Sequence, residues 1–173
     1  MTARLVGLPA LAVVLLAAAC GGSVASDGVP SPLHRTFDSP EALAEGVLAA
    51  LADGDSATLE ALPLSELEFR TVVWPELPSS RPERGLPFDY VWGDLHQKSN
   101  NEMRRLINRH GGKRYTLVDL GFDGETTPYE TYRVHRETVL TVRDEAGAEE
   151  ELALFGSILE RDGAFKLFSY VVD

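Results

Sequence analysis

Cysteine is almost missing from this chain: Cys20 is the single one among 173 residues, so no disulfide can form within it. Basic residues are also few, with 16 Lys and Arg against 27 Asp and Glu and a formal net charge of -11. That balance argues against nucleic acid as a partner, because affinity for it comes mainly from clustered cations neutralising phosphates. The four histidines, His34, His96, His110 and His135, show no zinc-ligand spacing, and no metal or other cofactor is expected. No G-x-S-x-G elbow is present, and Gly111-Gly112-Lys113 lacks the loop that precedes it in phosphate-binding motifs. Long apolar runs are absent too. The longest, Leu5 through Ala19, has 15 residues, short of the roughly 20 that a helix needs to cross a bilayer.

What that run does have is the layout of an export signal. Arg4 precedes it, and the small residues Ala17-Ala18-Ala19 close it immediately before Cys20. Leu16-Ala17-Ala18-Ala19-Cys20-Gly21-Gly22 resembles the lipobox of bacterial lipoproteins, departing from the commonest pattern at Ala17, where leucine is usual. The resemblance implies a signal peptide over residues 1–19 and lipid attachment, palmitate included, at Cys20. It also implies anchoring to a membrane of the cell envelope on its extracytoplasmic side, periplasmic or cell-surface. The alternative is plain secretion with cleavage after Ala19, which would leave Cys20 a bare thiol with no packing role. Residues 20–36, rich in Gly, Ser and Pro, read as a lipidated flexible tether, and residues 37–173 as a single domain.

The domain opens with helices. Ser39-Pro40-Glu41 is an N-cap, a proline at the first helical position and an acid in the first turn, and Gly54 supplies the stop. Asp55 caps a short second helix, and Ser65-Glu66-Leu67-Glu68 is a capping box for a third, through Phe69, Val72 and Val73. The longest helix is expected from Pro87 to about Arg109. On it Phe88, Val91, Trp92, Leu95, Met103 and Leu106 form one apolar stripe, with Gly93 as a potential break. His96, Ser99 and Glu102 lie in or beside that stripe. Burying such groups costs free energy unless they are partnered, so together with Trp92 they are candidates for a pocket.

After Gly112 the pattern is strand: Lys113 to Phe122, Tyr129 to Arg143, Glu150 to Glu160 and Ala164 to Val172, joined by turns into an antiparallel meander. Helices followed by hairpin strands predict an α+β fold with the helices on one face of the sheet. One row of the second strand reads Tyr132, Val134, Arg136, Thr138, Leu140, Val142, so Arg136 interrupts an apolar face and requires an anion. Either Glu102 supplies it or a small acidic ligand does, carboxylate or phosphate. His135, on the other row, reads as solvated. The last two strands are apolar on both faces, so either a helix or a partner protein, another copy or an envelope protein, covers the second face.

This element order is similar to that of the nuclear transport factor 2-like, or cystatin-like, superfamily, in which short helices and a long helix lie on a curved antiparallel sheet. The superfamily includes isomerases, cyclases and non-catalytic modules, and its enzymes work in a pocket between helix and sheet. Two functions stay open on that basis. The preferred one is a non-catalytic domain binding a small ligand or an envelope protein, with no catalytic residue assigned. The alternative is an acid–base isomerase or dehydratase holding a proton on Glu102 or His96. Behind both stands a structural lipoprotein with a filled interior.

Overall fold

The computed structural model describes residues 33–172. The expected signal peptide, the Cys20 attachment site and the tether as far as residue 32 lie outside them. Just before the helices, Leu33 is buried, and Phe37 pairs with Phe165 through both backbone groups at 2.9 and 2.8 Å.

The helices start and stop where their caps require. α1, Pro40–Asp53, begins with the Ser39 hydroxyl accepting the Ala42 N–H at 3.0 Å and ends at Gly54, whose φ of 65° suits a residue without a Cβ. α2, Ser56–Ala61, is capped by Asp55, whose carboxylate accepts the N–H and the hydroxyl of Thr58. α3, Glu66–Glu68, carries the capping box and runs into a π-helical turn, Phe69–Val73, whose buried Phe69, Val72 and Val73 face the core. Short 3₁₀ turns lead to α4, Phe88–His110, which is continuous through Gly93 and pairs Asp94 with Lys98 at 2.7 Å.

Among the described residues the four expected strands are seven, in two antiparallel sheets. β1, Thr116–Phe122, β4, Thr138–Arg143, and β5, Glu149–Leu152, form one, in the order β1-β4-β5. β2, Thr127–Pro128, β3, Arg133–His135, β6, Ser157–Arg161, and β7, Ala164–Ser169, form the other, in the order β2-β3-β6-β7. Two of the expected long strands therefore break and change sheets, one at Arg136–Glu137 and one at residues 153–156. Glu137 has a φ of 53°, outside the extended range, and that residue ends the alternation. Opposite it, the carbonyl of Gly156 accepts both the N–H and the hydroxyl of Thr138, each at 2.9 Å. A Cβ on Gly156 would stand 1.8 Å from the Val171 carbonyl oxygen, so the backbone can approach this closely only at glycine.

Two apolar clusters result. One joins α1, α2 and the C-terminal half of α4 to Leu140, Val142, Ile158, Leu167 and Tyr170. The other gathers Leu33, Leu64, the π turn and the N-terminal half of α4 around Tyr132, Val134 and Leu159, with Phe168 against it. Successive residues of β6 and β7 point to opposite faces, and each face meets one cluster. The second face of β6–β7 is therefore covered by the chain's own π turn and α4, the helical option of the two the sequence left open.

Candidate functional site

A cleft of about 480 Å³ opens between the α2–α3 connection, the first half of α4, β7 and residues 34–35. Its apolar wall is Leu64, Trp92, Leu95 and Phe168, while Arg35, Glu60, His96 and Asn100 are polar lining residues that are at least partly exposed. Trp92, His96 and Ser99 of the expected pocket come together here, because spacings of four and seven along a helix keep them within about 40° of one line. Trp92 packs on Phe69 with ring centroids 5.3 Å apart and carries the His96 ring stacked on it at 5.2 Å. The His96 Nε2 is hydrogen-bonded to the Asn100 amide at 3.0 Å, which fixes the imidazole at the end of this aromatic wall. Buried Ser99 accepts the backbone N–H of Tyr170 at 3.1 Å. Ser99 and His96 are thus each engaged elsewhere and make no nucleophile–base pair with one another.

Glu102 and Arg136 lie outside the cleft. Glu102 is ten residues beyond Trp92, roughly 15 Å along the helix axis and turned away by about 80°. It pairs with Arg105 of its own helix and lines a separate depression with Leu106, Arg109 and Tyr170. Arg136 is exposed: it lies in the break between β3 and β4, where the chain leaves one sheet for the other, although Val134 and Thr138 on either side of it are buried. The expected Arg136–Glu102 pair does not form. His135, expected in solvent, is half-buried: its ring stacks on Phe122 at 4.9 Å, with Nε2 2.8 Å from Glu160 and Nδ1 3.0 Å from Thr126.

The charged groups inside the cleft are ones the sequence reading passed over. Glu68 and Lys166 form an ion pair at 3.7 Å with only 2% of each side chain exposed. Glu68 uses both oxygens, accepting the His34 N–H at 2.6 Å and the Ser65 N–H at 2.7 Å. Lys166 donates to the His34 carbonyl at 2.8 Å. Burial alone would raise the Glu68 pKa, but the two N–H donors and the Lys166 charge outweigh it and hold the carboxyl below its ordinary value. Burial lowers the Lys166 pKa, and the Glu68 charge only partly offsets that. Glu68 was visible in the sequence as a capping residue. Lys166 had a signal as well, since it shares a β7 row with Ala164 and Phe168, the same kind of interruption that drew attention to Arg136.

The Glu68 carboxylate, with both oxygens bonded, and the Lys166 amine beside it make a fixed polar end to the cleft. Among the described residues no cluster of three or more His, Cys, Asp or Glu could hold a metal ion, and no helix is long and apolar enough to cross a membrane. The architecture defines an α+β protein with a cleft between helices and sheet. No protein-family model, no curated protein and no solved structure matches the chain.

Proposed function

We propose that this protein is a membrane-tethered lipoprotein of the bacterial cell envelope whose α+β domain binds a small molecule in the Trp92–Phe168 cleft without transforming it. The cleft carries this reading: its volume falls within the roughly 300–1,000 Å³ typical of ligand sites, and it joins an apolar wall to a few fixed polar groups. The ligand has an apolar body, which rests on Trp92, Leu95 and Phe168, and a polar or acidic head, which meets Arg35, His96 and Asn100 at the mouth. The lipobox-like segment ending at Cys20 supports the anchor. A long helix beside antiparallel strands, two of whose expected members pass from one sheet to the other, supports placement among the nuclear transport factor 2-like folds. Binding is preferred over acid–base catalysis because, of the two alternative proton carriers, Glu102 stands outside the cleft and His96 is stacked on Trp92 with its Nε2 engaged by Asn100.

A fragment screen by thermal shift tests the cleft, because a ligand at 100 times its Kd stabilises the folded state by about 2.7 kcal/mol. Compounds that raise the Tm of the native protein should raise it less in the double variant His96→Ala/Asn100→Ala, and by the native amount in Glu102→Ala and Arg136→Ala. Stabilisation indifferent to the His96/Asn100 change, or no stabilising compound at all, contradicts the reading.

A further inference from the structure

The Glu68–Lys166 pair grips the backbone of one residue, His34, through the two peptide units that flank its Cα. The N–H of His34 goes to Glu68 and its carbonyl oxygen to Lys166, so this stretch of backbone is held between two buried charges. The side chains of His34, Arg35 and Thr36 are exposed, leaving Leu33 and Phe37 as the apolar anchors of the segment. Arg35 has a φ of 51°, a conformation that a residue with a side chain adopts at a cost. Residues 33–37 are thus held by charge-assisted backbone bonds at one end, a two-bond bridge to Phe165 at the other and little side-chain packing between. His34 and Arg35 are also part of the cleft wall, as are Glu68 and Lys166.

We propose that residues 33–37 are a releasable strap that closes one side of the cleft and is clasped there by the Glu68–Lys166 pair. This rests on the reading of the cleft as a binding site and adds its regulation. A ligand touching His34 or Arg35 stabilises the clasped state, and by linkage release of the strap lowers affinity for that ligand. A buried ion pair is compatible with this role, because the cost of desolvating both charges offsets much of their attraction.

Hydrogen–deuterium exchange on the full-length protein tests the strap and needs no ligand, so its failure and a failure of the cleft to bind anything are separate results. In the native protein the His34 and Phe37 amides should exchange through local opening, at least about tenfold faster than those of Leu140 and Leu159 in the sheets. The double variant Glu68→Gln/Lys166→Met, which removes both charges together, should speed His34 and Phe37 by a further factor of about ten while Leu140 and Leu159 keep their native rates. Equal protection of strap and sheet amides in the native protein overturns the proposal, whether or not the double variant folds. Uniform acceleration throughout the double variant, or an unchanged strap in it, overturns the proposal as well.

Discussion

Glu68 shows how one side chain can serve a local and a long-range purpose. In sequence it is the third position of a capping box, and the structure keeps that bond while burying the carboxylate against Lys166 and the His34 peptide. Its pH consequence has a definite sign. A carboxyl whose native pKa lies below its unfolded value contributes stability that is fully present above the unfolded value and is lost as pH falls through the native one. The groups facing Glu68 are Lys166, the N–H groups of His34 and Ser65 and the Ser65 hydroxyl, and of these only Lys166 carries charge, which it keeps throughout this acid range. Urea unfolding across the range below the ordinary glutamate value of 4.5 should therefore show stability rising with pH, and Glu68→Gln should flatten that slope. An equal slope in the variant would assign the acid sensitivity to other carboxylates. The reason Lys166 and Arg136 exchanged places between expectation and structure is also local. Both interrupt an apolar row, but only Arg136 lies in a break between strands, and nothing in the residue types flanking Arg136 announces that break.

At the scale of elements, helix termini were legible and sheet breaks were not. The Ser39, Asp55 and Ser65 caps depend on residues three positions apart, which a sequence displays directly. The change of sheet at residues 153–156 brings Gly156 against Val171, a contact made only after the final strand has folded back, and the one at 136–137 carries the positive φ of Glu137. Helical spacing likewise placed Trp92, His96 and Ser99 together, whereas the wall opposite them comes from β7 and residues 34–35, far away in the chain. Gly156→Ala should be strongly destabilising, by about 3 kcal/mol or more, since a Cβ there overlaps a backbone carbonyl that cannot swing aside as a side chain can. Urea denaturation measures this directly. A loss below about 1 kcal/mol would mean that the chain after β7 moves away easily.

For the whole molecule, the proposed reading joins an N-terminal segment whose sequence resembles a lipoprotein signal to a domain whose cleft wall includes residue 34. Cys20 is the single cysteine, so Cys20→Ser tests the anchor without disturbing any disulfide. The native protein should fractionate with membranes and carry a thioether-linked lipid visible by mass spectrometry, and Cys20→Ser should lose the lipid and be released from the membrane fraction. An unlipidated native protein in the soluble fraction would favour plain secretion. The charge deficit agrees with a domain held at a membrane by lipid and not by cations, because acidic side chains do not add to attraction for anionic lipid headgroups.

The most direct measurement of the central claim is the pair of tryptophan indole signals in a proton–nitrogen correlation spectrum. The chain has two tryptophans: Trp92 lines the cleft, while Trp74 packs edge-on against Phe88 and does not line it. Titration with compounds found by thermal shift should move the Trp92 signal and leave that of Trp74 in place. Compounds that stabilise the protein while shifting Trp74 alone, or neither signal, would contradict a ligand site in this cleft.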